Sequence, residues 1–318
     1  MIQVRGLTKT YRVPVRPPGL GGALRSLFSR EFREVKAVRD LSFSIKPGER
    51  VGFLGPNGAG KTTTLKMLSG LLYPTSGELS VAGHVPQVRA PAFLQQITLV
   101  MGQKQQLLWD LPARESFELS RAMYGVERAA FRSTLDELVT MLRAEALLDK
   151  PVRNLSLGER MKCELIAALI HRPQVLFLDE PTIGLDVEMQ VQVRQFVAEH
   201  NRETGATVLL TSHYMQDIAA LTPRLLIIDQ GTLRYDGSLD ELSRRVAPER
   251  RIVVQTVLPE LAALGFVLTE GRMVATVPAV EANGLIQRLL TLAPLVEFGV
   301  EVPPLEEVIA RVFAEGRA

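Results

Sequence analysis

The chain has one cysteine, Cys163, in 318 residues. That count excludes a disulfide within the chain and a zinc site built on paired cysteines, and it suits a reducing compartment. Charge of one sign is missing as well. The 37 basic and 35 acidic residues leave a net charge of +2, too balanced for a whole face given to nucleic acid. No apolar run approaches the roughly 18 residues of a membrane span. The longest, such as Val175-Leu176-Phe177-Leu178, have the length of buried strands. Met1-Ile2-Gln3-Val4-Arg5-Gly6 lacks the apolar core of a secretion signal. A cytoplasmic chain is expected, with any membrane role through a partner. Repeats and low-complexity tracts are absent too. The isolated His84, His171 and His200 have no partner at metal spacing and are expected at the surface or at helix caps, and Cys163 is expected in helix packing.

What is present is a good core, 46% hydrophobic residues, and length for about two domains. The central stretch is Gly55-Pro56-Asn57-Gly58-Ala59-Gly60-Lys61-Thr62, which fits the phosphate-binding pattern G-x-x-x-x-G-K-[ST]. Glu49 to Leu54 before it reads as a buried strand, and Thr63 to Leu68 after it as a helix. Such a turn aims backbone N–H groups and the positive end of a helix dipole at an anion. Lys61 can reach β- and γ-phosphates, and the Thr62 hydroxyl can take a place on Mg²⁺. A glycine-rich turn that binds nothing would leave Lys61 and Thr62 unexplained.

Further strands are expected at Ile2–Arg5, Leu41–Lys46, Glu78–Ala82, Ile97–Met101, Val175–Leu178, Thr207–Leu210, Arg224–Ile228 and Gly231–Tyr235. Helices are expected at Ala113–Tyr124, Ala129–Met141, Arg143–Leu148, Leu155–His171, Val187–Glu203 and Tyr214–Leu221. This alternation implies an α/β fold with a mostly parallel sheet covered on both faces. The apolar strand Val175–Leu178 ends in Asp179-Glu180. Beside a phosphate loop, Asp179 is placed for the Mg²⁺ shell and Glu180 for water. Helix-capping acids would explain the charge but not the apolar strand in front.

Leu155-Ser156-Leu157-Gly158-Glu159, Gly184-Leu185-Asp186 and Ser212-His213 follow in order. Together with the phosphate loop and the acids, this set resembles the ATP-binding-cassette (ABC) ATPases over about Ile2 to Glu241. The resemblance implies a P-loop NTPase cassette with an antiparallel β-subdomain and a helical subdomain. It implies ATP and Mg²⁺ as cofactors, Tyr11 on adenine, and Gly55 to Thr63, Thr63 included, around the phosphates. Gln103 and His213 join Glu180 as catalytic residues, and Thr62, Gln103 and Asp179 serve the metal. Ser156, Gly158 and Glu159 would meet the nucleotide of a second copy, and Asp186 would link the two sites. Leu157 and Glu159 depart from the common Leu-Ser-Gly-Gly-Gln. The resemblance therefore makes Leu157 point away from the nucleotide and asks for a cation beside Glu159.

The implied function is the ATPase subunit of a transporter at the cytoplasmic face of the membrane, working as a dimer with separate permease subunits. Lone Trp109 reads either as a core residue or as an anchor for the permease. Residues 1–241 form the expected cassette and 242–318 an accessory domain. In the latter, strands at Ile252–Val257, Phe266–Thr269, Met273–Val277 and Val296–Val300, helices at Pro259–Leu264 and Val280–Leu292, and a last helix at Pro304–Ala314 suggest a ferredoxin-like βαββαβ unit. An α/β tail resembles those of exporter ATPases more than the β-barrel tails of uptake systems. Residues 12–36 are an insertion whose segment Leu20–Val35 has the spacing of a basic amphipathic helix. It reads as a cover for the β-subdomain or as a membrane-facing element. The rival function is a soluble ABC ATPase in translation or DNA repair, and a small-molecule kinase would leave Ser156–Glu159 and His213 unexplained.

Overall fold

The computed structural model describes residues 1–14, 32–246, 248–269, 271–293 and 296–315. Contacts divide the chain into two compact units, Met1–Asp236 and Gly237–Ala318, a division slightly ahead of the expected Glu241.

The first unit contains two sheets. The antiparallel one has the order β2-β1-β4, with β1 at Ile2–Pro14, β2 at Phe32–Ile45 and β4 at Ser76–Val81. The larger one has the order β5-β6-β7-β3-β8-β9. Its strands are β3 (Arg50–Leu54), β5 (Ile97–Met101), β6 (Val175–Asp179), β7 (Thr207–Thr211), β8 (Arg224–Asp229) and the edge strand β9 (Thr232–Ser238). The pairs β5–β6, β6–β7, β7–β3 and β3–β8 are parallel. All five residues of β6 and of β7 are buried, as continuous apolar runs in a covered parallel sheet should be. Phe53, Phe177, Leu209 and Leu226 of this sheet share one core with Ile2, Leu7, Phe43 and Leu79 of the other. Each fully buried phenylalanine contributes about 1.5–3 kcal/mol.

The helices of this unit are α1 (Lys61–Leu68), α2 (Ala113–Tyr124), α3 (Arg128–Leu142), α4 (Leu157–Leu169), α5 (Val187–Thr204) and α6 (Met215–Leu221). Their ends follow local chemistry. Ser156 and Glu159 form a capping box at the start of α4, and Gly205 ends α5 in the left-handed conformation.

Two expectations fail here. Arg143–Leu148 is not a helix. Arg143 closes α3 with φ 50°, and only Glu145–Leu147 makes a 3₁₀ turn. The basic helix Leu20–Val35 is contradicted where it can be seen. Phe32–Val35 is the start of β2, with Pro14 opposite Phe32 and Tyr11 opposite Val35. Its remainder lies outside the described residues.

The second unit opens with α7 (Leu239–Val246). It continues as β10 (Glu249–Val254), a 3₁₀ segment at Pro259–Leu264, β11 (Val267–Thr269), β12 (Arg272–Pro278), α8 (Ala282–Leu292), β13 (Phe298–Glu301) and α9 (Leu305–Glu315). The sheet order β11-β12-β10-β13 is antiparallel throughout. That is the ferredoxin-like order, with a 3₁₀ segment in place of the first helix. Ile252, Val254, Phe266 and Met273 of the strand region pack with Leu285 and Leu289 of α8. Arg311 of α9 bridges Glu249 at 2.7 Å and Glu307 at 3.1 Å.

Candidate functional site

The site lies at the carboxyl ends of β3, β6 and β7, where an open parallel sheet exposes its strand termini. β3 delivers the phosphate loop. At Gly60 the backbone has φ 104°, and a Cβ there would stand 2.5 Å from the Ala37 carbonyl oxygen. Only glycine meets both demands. Gly60 is also the N-cap of α1 and provides no side-chain cap, so the first N–H groups of α1 face the loop free of a side-chain acceptor. Asn57 and Gly58 are exposed, whereas Ala59 and Lys61 are buried. The Lys61 ammonium donates to the carbonyl oxygens of Gly55 at 2.6 Å and Pro56 at 3.2 Å. Burial lowers its pKa, and the charges of Glu180 and Asp179 oppose that fall.

The acids meet this loop from β6. Thr62 Oγ1 donates to Asp179 Oδ2 at 2.9 Å, and Thr211 Oγ1 donates to Asp179 Oδ1 at 2.7 Å. Asp179 and Thr211 are register partners in β6 and β7. Glu180 has φ 56°, a left-handed conformation that costs a non-glycine residue about 1–2 kcal/mol. Its N–H donates to both the carbonyl and the hydroxyl of Thr211 at 3.1 Å. The Glu180 carboxylate then stands 2.8 Å from His213 Nε2 and 3.5 Å from Gln103 Nε2. A cleft of about 140 Å³ separates these groups, lined by Thr62, Lys66, Met101, Gln103, Lys104, Asp179 and Glu180. Larger hollows of about 440 and 380 Å³ lie beside His200 and beside Gln3, and neither contains a phosphate-loop residue or an acid from β6.

Thus Lys61, Thr62, Gln103, Asp179, Glu180 and His213 converge. Ser156, Gly158, Glu159 and Asp186 gather elsewhere. Ser156 Oγ accepts from the Glu159 N–H at 3.2 Å, and a Glu159 oxygen accepts from the Ser156 N–H at 2.8 Å. Lys150 Nζ lies 3.3 Å from Glu159 and is the cation that this position required. The Glu159 carboxyl sits below its usual range, chiefly because of the Ser156 backbone bond. Leu157 packs over Gly184, where an added Cβ would meet Leu157 Cδ2 at 2.9 Å, and Gly158 faces Met189 in the same way at 2.8 Å. Asp186 caps α5 by accepting from the Met189 N–H at 2.8 Å. The signature is therefore seated on the segment that follows the acids. Tyr11 is exposed on β1 with Lys9 Nζ 5.3 Å from its ring. It stays on the β1–β2 ladder, and no contact among the described residues carries it into the phosphate loop.

Several groups escaped the sequence reading. Thr211 holds both acids, yet only strand register reveals it. Gly102 lets β5 approach, since a Cβ there would stand 2.1 Å from the Glu180 carbonyl oxygen. Lys66 and Lys104 line the cleft. Trp109 is 48% exposed. Cys163 is buried, and burial pushes its thiol up to about 12. His84 is half-buried against Gln96 at 3.1 Å. His200 contradicts the surface expectation. It is buried, with its ring 5.9 Å from that of Phe196, because α5 turns that position onto the core. His171 is half-buried, stacked on Tyr124 at 3.7 Å.

The donor set fits a magnesium nucleotide. Among the described residues no group of three or more His, Cys, Asp or Glu could hold a metal alone. One carboxylate and one hydroxyl suit an ion that keeps water and substrate phosphates in its shell. No helix among the described residues is long and apolar enough to cross a membrane.

Comparison with known proteins agrees. A family model described as ABC transporter matches residues 38–183. The ABC transporter ATP-binding protein NatA of Bacillus subtilis is 36% identical over 219 residues, 67% of this chain and 88% of that protein. The Nod factor export ATP-binding protein I of Ralstonia nicotianae is 36% identical over 235 residues, 71% of this chain and 72% of that one. A dimeric ATP-binding cassette solved in a post-hydrolysis state with ADP and Pi shares the fold, with TM-score 0.62 and 23% identity over 75% of this chain and 99% of that one. With its phosphate loop, paired acids and signature in place, the chain belongs to the ABC transporter family, as an ATPase cassette.

Proposed function

We propose that this chain powers an exporter, with two copies acting beneath separate permease subunits. The observation that carries the hydrolytic part is the position of Glu180. Its carboxylate is held by His213 at 2.8 Å beside Asp179 and Lys61, on a backbone strained into place. Glu180 orients water and takes its proton. His213 holds the glutamate and offers its ring to the γ-phosphate. Lys61 and the free N–H groups of α1 neutralise charge on the phosphates, and Gln103 completes the wall around the water. Thr62 and Asp179 would hold Mg²⁺, which supplies further neutralisation of the β- and γ-oxygens when bound.

The second copy enters through Ser156 and Gly158. Both lie at a helix N-terminus, away from the phosphate loop of their own chain. The Ser156 hydroxyl accepts from the Glu159 N–H and also bonds the Glu159 carboxylate, and a phosphate across a dimer would take over that proton. The export direction rests on relatives whose names carry export or resistance and on an α/β accessory unit. Trp109, Leu111, Leu119 and Met123 are exposed, and an aromatic and aliphatic surface suits a helical permease segment.

Glu180→Gln tests the hydrolytic role. Turnover should fall about 10²–10⁴-fold, the range for loss of a general base, while ATP binding is retained. Gel filtration with ATP and Mg²⁺ should then show a dimer. Wild-type turnover by this variant would end the proposal.

A further inference from the structure

Behind the catalytic loops lies a buried carboxylate that the hydrolytic reading does not use. Asp217, in the first turn of α6, is 0% exposed. Its Oδ2 accepts from Ser212 Oγ at 2.6 Å and from Thr182 Oγ1, and its Oδ1 accepts from Arg194 Nη1 at 2.7 Å. The donors come from three places. Thr182 lies two residues after Glu180, Ser212 directly before His213, and Arg194 on α5. Thr182 and Ser212 are themselves buried. Ser212 Oγ also accepts from the Tyr214 N–H at 3.0 Å, so residues on both sides of His213 are tied to one oxygen.

All three partners of Asp217 donate, so the hub must be a group that only accepts. A buried ion pair is costly unless its remaining valences are filled. Here Arg194 balances the charge, and two hydroxyls saturate the second oxygen. The β6–β7 register fixes the chain only as far as Thr211. The 2.8 Å contact between Glu180 and His213 spans the loops beyond it, and Asp217 ties the same loops together from behind through Thr182 and Ser212.

We propose that Asp217 is a positioning residue for ATP hydrolysis. It clamps the loop after Glu180 to the loop carrying His213, through Thr182 and Ser212, and keeps carboxylate and imidazole in register during turnover. This inference rests on the reading of Glu180 and His213 given above.

ATP turnover of the full chain tests it. Asp217→Asn sets an amide N–H₂ against Arg194 or against the two hydroxyls. It should lower kcat roughly tenfold or more, since small displacements of reacting groups are that costly, while KM for ATP changes less than about twofold because the phosphate loop is untouched. Thr182→Val, close to isosteric, serves if Asp217→Asn does not fold. It should lower kcat by roughly threefold or more with the same KM, and Thr182→Ser should recover most of that loss. In the background of Asp217→Asn, Thr182→Val should add little, as expected for groups acting as one unit. Wild-type kcat in folded Thr182→Val and Asp217→Asn, or losses that simply add, would overturn the clamp. Glu180→Gln in the same assay separates the two failures. If it is inactive while the clamp variants turn over normally, only the clamp falls. If it too turns over normally, the reading of the site falls first.

Discussion

Around β6 and β7 the two ends of the central sheet differ in how they treat polar groups, although at the carboxyl end of β8 one Asp229 oxygen is buried without a partner among the described residues. At the carboxyl ends of β6 and β7, Asp179, Thr211, Ser212 and the Glu180 N–H are bonded to one another or to neighbours. At the opposite end, one imidazole is buried and another half-buried, both with unfilled valences. His200 is 3% exposed, and neither ring nitrogen has a partner among the described residues. His171 accepts or donates one bond, to the Ile97 carbonyl at 3.0 Å, and its Nδ1 has none. Burial lowers the pKa of both. A satisfied network can hold reacting groups to a few tenths of an ångström. An unsatisfied one can only keep its members neutral. The contrast sets the proposed catalysis at one end and a predicted acid sensitivity at the other, and substitutions at each end should move different observables.

The largest effect that sharpens this contrast is expected at Gly102. A Cβ there would stand 2.1 Å from the Glu180 carbonyl oxygen, a backbone atom that cannot swing aside. Gly102→Ala must displace Glu180 or the end of β5. Turnover should fall roughly 10–100-fold, in keeping with the cost of an ångström-scale shift, and overpacking should cost about 1–3 kcal/mol in denaturant unfolding. Turnover equal to wild type would show that the Glu180 position is not limiting.

A smaller effect belongs to Leu157, at the catalytic end but on its exposed rim. Leu157→Gly restores the family pattern and removes the contact over Gly184. Added chain entropy at the first residue of α4 should lower stability by about 0.5–1 kcal/mol. ATPase activity should stay within about threefold of wild type, because the capping box of Ser156 and Glu159 keeps the helix end in place. A tenfold change would mean that Leu157 itself takes part in signalling between the signature and the loop at Gly184.

These contacts also show what could be read from sequence. The phosphate loop, the acids and the signature are runs of adjacent residues whose spacing alone carries the chemistry, so they were legible. Ser156 and Glu159 have the spacing of a capping box, yet the motif pointed to the nucleotide of a second copy and the cap is seen only in the structure. Thr211, Gly102 and Asp217 act through register and through-space approach, which no local pattern encodes. The misreading of Phe32–Val35 as the end of a helix has the same origin. Phe32 and Val35 are three apart, which suits a helix face, yet their partners Pro14 and Tyr11 lie across a ladder far away in sequence. His200 looked like a polar residue in an otherwise polar stretch, and only the packing of α5 against the sheet turned it inward.

The smallest effect is expected at that buried histidine, and it is confined to acid stability. A histidine whose folded pKa is depressed stays neutral while the unfolded chain takes up a proton. Its contribution is fully present above the unfolded value, about 6.5, and is lost as pH falls below it toward the folded value. His171 and His200 both act in this direction. His200→Phe keeps an aromatic ring beside Phe196 and removes one of the two groups. Glu164, whose carboxyl burial pushes up, is common to both proteins and cancels in their difference. Between pH 7.5 and 5.5 the wild-type melting temperature should drop further than that of the variant, by about 2–4 °C for each kcal/mol of linkage in a chain of this size. ATPase activity at pH 7.5 should stay within about twofold, because nothing at this end of the sheet touches the phosphate cleft. Parallel acid limbs would show that His200 is not protonated in the unfolding transition. A fall in turnover at neutral pH would break the division between the two ends, since the catalytic end would then depend on packing at the far one.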